Sequence, residues 1–169
     1  MTGRRLGALW LVLLLVAGAC SLPPVDLEGE RPLAQRTTIT AADGTRLARL
    51  FTQNRDLVPL GRVPRSLVSA VLAAEDRRFF DHAGYDLSSI ARAAMANLAA
   101  GKIVQGASTI TQQYVKNAYF RRAPRTLERK ARELRIALEV ERTLTKRQIL
   151  ERYLNTVYFG DGAYGAKAA

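Results

Sequence analysis

The sequence predicts a mainly α-helical domain, with one short β-hairpin ahead of it and an apolar anchor at its N-terminus. Three observations carry that reading. From Val63 onward apolar residues recur at three- and four-residue intervals, the period of a half-buried helix. Helix-starting residues, among them Asp86, Thr126 and Thr145, stand just ahead of those runs. Before Val63, Asp43-Gly44 separates two short β-like runs, which is a hairpin signal.

The bulk numbers fit one such domain. A chain of 169 residues can bury one core and is too short for two full-sized ones. With 48% hydrophobic and 24% charged residues the composition is that of a globular protein, which excludes wholesale disorder. The outlier is a net charge of +11. It calls for a polyanionic partner: nucleic acid, an anionic membrane face or a phosphate-bearing substrate. A single cysteine, Cys20, excludes an intrachain disulfide framework.

The N-terminus narrows that choice. Arg4 and Arg5 precede an uncharged run from Leu6 to Val25 with its apolar heart at Leu9 to Val16, the pattern of an export signal. The run approaches the ~20 residues a bilayer crossing needs, so residues 1–25 read as a signal-anchor with the rest of the chain outside the cytoplasm. Ala17-Gly18-Ala19-Cys20 is similar to a lipoprotein processing site, but Ala17 is a poor match to the bulky aliphatic residue expected there. The uncleaved anchor is therefore favoured, with lipidation or cleavage at Cys20 as the alternative. An exported domain seldom meets nucleic acid, so the basic charge points to lipid head groups or phosphate.

Residues 26–58 read as a linker carrying the hairpin, with strands over Thr37 to Ala42 and Thr45 to Phe51. Residues 59–169 form the helical domain. Its first helix opens after Pro64 with Ser66 as cap and the stripe Leu67, Val68, Val71, Leu72 and Phe79. Glu75 falls on that stripe. Either it reaches back to solvent or to Arg78, or it lines a cleft with its pKa raised by partial desolvation; periodicity alone favours the first. Asp86 caps a second helix whose Leu87, Ile90, Ala94 and Leu98 look like core, and Gly101 ends it. His82, the only histidine, reads as a structural hydrogen-bonding residue. With no second histidine and no cysteine pair, no metal site is suggested.

Gly106-Ala107-Ser108-Thr109 leads into a third helix capped by Ser108 or Thr109, whose free N–H groups suit an anion. Ser108, Gln112 and Lys116 form a polar ridge along it, with Gln113 beside them; a solvated face is the plain alternative. Thr126 starts a fourth helix to about Thr143 with the stripe Leu127, Ala131, Leu134 and Leu138. Arg121, Arg122, Arg125, Arg129 and Lys130 crowd its N-terminal end, where cations oppose the helix dipole and repel one another unless an anion sits on them. Lys130 and Glu133 share a flank, and Arg129–Glu133 is an i,i+4 pair. A capping box at Thr145–Gln148 opens the last helix, followed by Ile149, Leu150, Tyr153, Leu154 and Val157, before glycines at 160, 162 and 165 break the pattern.

Read as strings, the same places resemble the ordered motifs of the peptidoglycan glycosyltransferases of class A penicillin-binding proteins, glycosyltransferase family 51. These strings are AAEDRRFFDHAG (73–84), QGASTITQQYVKN (105–117), RKARE (129–133), KRQILERYLN (146–155) and the start of a fifth in GDGAYGAKAA. Ala107 departs from the glycine frequent in that family, and the sequence stops inside the fifth motif. The resemblance implies a lysozyme-like, two-lobed helical fold and the polymerisation of lipid II into β-1,4 glycan strands, with inversion and release of undecaprenyl pyrophosphate. It implies Glu75 as the general base and Glu133 as the second catalytic carboxylate. Asp76, Arg92, Ser108, Thr109, Gln112, Gln113, Lys116, Arg125, Arg129 and Lys130 become substrate-binding residues. No tightly bound cofactor is implied beyond a divalent cation, Mg or Mn, accompanying the pyrophosphate. The implied partners are lipid II, the growing glycan strand, the bacterial membrane, a C-terminal transpeptidase domain and other cell-wall synthesis proteins. Two rivals remain: a lytic muramidase of lysozyme architecture, and a non-enzymatic basic module binding anionic lipid or wall polymer.

Overall fold

The structure, a computed structural model, describes residue 30 and residues 32–120, 124 and 126–169. The apolar N-terminal run with Cys20, and Arg121, Arg122 and Arg125, lie outside the described residues. Among the described residues no helix is long and apolar enough to cross a membrane.

The hairpin forms where the turn signal puts it, with β1 (Thr37–Thr40) antiparallel to β2 (Arg46–Leu50) and a register shift at Ile39/Thr40. The Asp43 carboxylate accepts from the Thr45 N–H at 2.8 Å, closing the turn, and Gly44 supplies the positive φ of 86° that it requires. Both strands are largely exposed. β3 (Asn54–Arg55) instead joins the body of the domain. It runs parallel to β5 (Ala163–Tyr164), which pairs antiparallel with β4 (Tyr158–Gly160). The glycines that end the helical pattern thus make a small three-stranded sheet. Arg55 is buried in it, donating to the Ala34 carbonyl (2.9 Å) and lying over the Tyr164 ring at 5.2 Å.

The helices are α1 (Arg65–Glu75), α2 (Leu87–Ala100), α3 (Ile110–Tyr119), α4 (Leu127–Thr143) and α5 (Lys146–Thr156). The core lies between α3, α4 and α5. Ile110, Tyr114, Val115 and Ala118 of α3 meet Ala137 and Val140 of α4 and Ile149, Leu150, Tyr153 and Leu154 of α5. Burying each larger one of these side chains stabilises the fold by about 1.5–3 kcal/mol. Asn155 ties the preceding segment to this core, accepting from the Val58 N–H and donating to the Val58 carbonyl, both at 2.9 Å.

Four expectations need correction. The α1 cap is not Ser66: Pro64 holds that position without a side-chain hydrogen bond, its fixed φ preparing the first turn. The helix also stops at Glu75, four residues short of Phe79, which enters the core from the 3₁₀ turn Phe79–Asp81. Leu87, Ile90, Ala94 and Leu98 are exposed and only Ala93 of α2 is buried, so this helix stays outside the core formed by the other helices. On α4 the inward face is Glu133, Ala137 and Val140, and Leu127 is 91% exposed. The apolar stripe points elsewhere because a buried carboxylate occupies part of the inward face.

Gly165 and Gly101 separate two uses of positive φ. A Cβ on Gly165 (φ 83°) would lie 3.0 Å from the Asn155 carbonyl oxygen, whereas one on Gly101 (φ 62°) would meet nothing within 4 Å. Gly101→Ala should cost only the left-handed backbone term, about 1–2 kcal/mol. Gly165→Ala should cost clearly more, because backbone cannot step aside. Urea midpoints at unchanged m-value measure both, and equal losses would refute the close-approach argument.

Candidate active site

The site forms where the end of α1 meets the start of α3. Asp76, the C-cap of α1, is buried and leaves the helix with φ −162°. Its Oδ2 accepts from the Ile110 N–H at 3.0 Å, and its carboxylate accepts from His82 Nε2 at 3.0–3.1 Å. A carboxylate only accepts, so His82 carries its proton on Nε2. The first N–H of α3, an orphan donor by construction, is thereby satisfied by the residue after Glu75. Asp76 acts inside the protein, holding two segments together.

Glu75 itself is exposed at the last position of α1. Of the two readings of this residue the solvent-reaching one holds and the partial burial of the other is absent, because the helix ends there and the chain turns away. Nor does it meet Arg78, whose guanidinium pairs with Asp86 at 3.0 Å. Its partner is Gln113, whose Nε2 donates to Glu75 Oε2 at 2.8 Å. The Gln113 carbonyl oxygen in turn accepts from the Tyr153 hydroxyl at 3.4 Å.

The neighbouring glutamine faces the other way. Gln112 is buried and donates to the Gly84 carbonyl at 3.0 Å, beside Thr109, whose hydroxyl donates to the same oxygen at 2.8 Å. Thr109, not Ser108, caps α3. The Gln112 Oε1 accepts from Lys130 Nζ at 2.9 Å, and Ser108 Oγ lies 3.2 Å from the same ammonium. Lys130 also lies 3.6 Å from Glu133, whose other oxygen pairs with Arg129. Glu133 is only 2% exposed, so this i,i+4 pair is an interior one rather than a surface ornament. Burial, and after it the charges of Arg129 and Lys116, push the Lys130 ammonium below its usual range. Lys116 is exposed on the last turn of α3.

Two cavities flank the loop before α3. The first, about 370 Å³, holds Glu75, Asp76, Asp86, Arg92, Gln113 and the loop 104–109. The second, about 440 Å³, has an apolar floor of Tyr85, Leu87, Ile90 and Leu134, with Ser108, Gln112 and Lys130 at its polar edge. Ala107 and Ser108 border both. One compartment offers a carboxylate able to take a proton; the other offers an ammonium able to hold an anion beside an apolar surface. Arg92, on α2, is exposed and donates to Ser89 Oγ at 3.0 Å. Among the described residues, Glu75 and Gln113 come together on one side, and Ser108, Gln112, Arg129, Lys130 and Glu133 on the other. Arg125 lies outside the described residues.

Sequence reasoning missed three contributors. Asn97 accepts from the Val104 and Gln105 N–H groups (2.8 and 2.9 Å) and donates to the Gln105 carbonyl, pinning the cavity wall. An asparagine inside an alanine-rich helix was the available signal. Asp86 was read only as a cap, and Tyr153 only as scaffold. Both Glu133 oxygens are engaged by Arg129 and Lys130, and among the described residues no group of three potential metal ligands occurs.

Asp86 yields a pH prediction. The Ser89 hydroxyl first, then the Ser88 hydroxyl and both backbone N–H groups, hold its carboxyl well below the usual carboxylate range, against the opposing cost of burial. A lowered folded-state pKa contributes stability that is complete above the unfolded value, about 3.9, and is lost as pH falls toward the folded one. The stability gap between the native chain and Asp86→Asn should be constant from about pH 5 to 7 and shrink below about pH 4. Denaturation at stepped pH tests this; a gap that widens on acidification would contradict the assignment.

Residues 43–169 match the family model described as transglycosylase. The chain is 43% identical over 160 residues to penicillin-binding protein 1A of Aquifex aeolicus, covering 94% of this chain and 22% of that protein. It is 40% identical over 163 residues to penicillin-binding protein 2D of Bacillus subtilis, covering 96% and 23%. Against penicillin-binding protein 1A of Haemophilus influenzae it is 43% identical over 158 residues, covering 94% and 18%. The chain thus spans about a fifth of the length of these relatives. It belongs to the transglycosylase family, as a domain of the kind that class A penicillin-binding proteins carry.

Proposed function

We propose that this domain is a peptidoglycan glycosyltransferase that polymerises lipid II into β-1,4 glycan strands at the outer face of the bacterial membrane. The observation that carries the reading is the pairing of two unlike compartments across Ala107–Ser108. One has an exposed carboxylate held by an amide; the other has an ammonium over an apolar floor. A sugar hydroxyl needs a base, whereas a polyprenyl pyrophosphate needs cations beside a hydrophobic surface.

In this reading the Glu75 carboxylate takes the proton from the 4-hydroxyl of the acceptor GlcNAc. That oxygen bonds to the anomeric carbon of the donor MurNAc as the bond to the pyrophosphate oxygen breaks, and undecaprenyl pyrophosphate leaves with the bonding pair. Attack opposite the leaving group converts the α linkage to β. Lys130 and Arg129, with Lys116 and Arg125, receive the charge on the leaving oxygens, and Glu133 keeps the first two in place. The Lys130 cluster separates this reading from a glycoside hydrolase, which has no pyrophosphate to stabilise.

Glu75→Gln in the full-length protein should lower polymerisation of lipid II by a factor of about 10²–10⁴ while lipid binding persists. Full activity in that variant would remove Glu75 from the mechanism. Cleavage of preformed glycan by a folded wild type that cannot polymerise would install the lytic reading instead.

A further inference from the structure

We propose that Tyr153 is a positioning residue for Glu75, acting through the side-chain amide of Gln113. The proposal rests on the polymerase reading only in that Glu75 is the base there.

A glutamine amide is pseudo-symmetric in shape and opposite in polarity at its two ends. Whichever end faces Glu75 decides whether the carboxylate meets a donor or a like-signed oxygen. Gln113 has its Nε2 2.8 Å from Glu75 Oε2 and its Oε1 3.4 Å from the Tyr153 hydroxyl. The carboxylate accepts only and so fixes which end of the amide faces it, and the phenol donates to the oxygen that this orientation presents at the far end. Flipping the amide would set its oxygen against the carboxylate and forfeit the Glu75 contact, while the phenol, which can also accept, would meet the amide nitrogen; Glu75 sets the polarity of the amide and Tyr153 anchors its far end.

Tyr153 suits that task. Its ring is locked in the core formed by α3 and α5 and is 3% exposed, so the hydroxyl has a fixed address. Burial, then the negative charge of Glu75, pushes the phenol above its ordinary ionisation range, which keeps it a donor at any working pH. At 3.4 Å the contact lies at the long end of hydrogen-bond geometry, so it anchors the place of the amide and adds little strength of its own. Tyr114 gives a contrast on the same helix. It is also fully buried, but its hydroxyl donates to Glu30 at 2.7 Å, away from the Glu75 contact.

The test is a double-mutant cycle in the full-length protein, combining Tyr153→Phe with Gln113→Ala and reading kcat, KM and Tm. Tyr153→Phe keeps the ring and its packing. It should lower kcat about tenfold, the scale of a misoriented hydrogen bond to a charged group, with KM changed by less than about twofold. In the Gln113→Ala background the same change should do nothing further, because the amide it orients is gone. A kcat loss that recurs undiminished in that background, or native kcat in Tyr153→Phe alone, overturns the proposal. The Gln113 side-chain NH₂ resonances provide a readout that does not use the reaction. They should be sharp in the wild type and exchange-broadened in Tyr153→Phe, and identical spectra would also overturn it. A wild type that fails to polymerise would refute the polymerase reading while leaving these spectra to decide the role of Tyr153.

Discussion

The architecture of the site depends on one buried carboxylate. Asp76 ends α1, receives the first N–H of α3 and holds His82, so the end of α1, the turn after it and the start of α3 converge on one side chain. A buried charge is tolerable only when donors surround it, and here the donors come from the pieces that must be aligned. Because Glu75 precedes Asp76, its place relative to α3 is inherited from that knot. Removing Asp76 would leave a helix end, a histidine and a turn without their common partner.

From that knot α3 distributes the chemistry. Successive residues of a helix project about 100° apart, so Gln112 and Gln113 reach opposite compartments from one backbone. Gln113 serves the carboxylate and Gln112 serves the ammonium. The small residues Ala107 and Ser108 stand between the two cavities where a bulkier pair would close one of them. The interior ion pairs of Glu133 then fix Arg129 and Lys130, trading packing at the α4 seam for a defined positive edge.

Much of this was legible in the residues. Caps at Asp86, Thr126 and Thr145, the left-handed Gly101 and the Asp43-Gly44 turn are local, and local chemistry is what a sequence displays. What periodicity misjudged is tertiary. It read the Leu87 and Leu127 stripes as inward because apolar residues usually are, although Leu87, Ile90, Leu98, Leu127 and Leu134 stand exposed. It put Glu75 on the apolar stripe because the helix could not be seen to stop at Asp76, yet the solvent-reaching side chain that it favoured is what the helix end produces. The partition of Gln112 from Gln113, and the reach of Tyr153 into the site, depend on contacts between residues 18 to 40 positions apart that no spacing rule records.

The exposed face of α2 has a consequence of another kind. With Ala93 alone buried, that helix draws its persistence from its ends, Asp86 and Gly101, and from the alanines along it, rather than from a core. Folding therefore exerts little claim on its outward positions. Positions that line neither cavity, such as Met95 and Leu98, are free to follow whatever medium surrounds the helix, and selection can retune them without disturbing Leu87, Ile90 or Arg92 at the site.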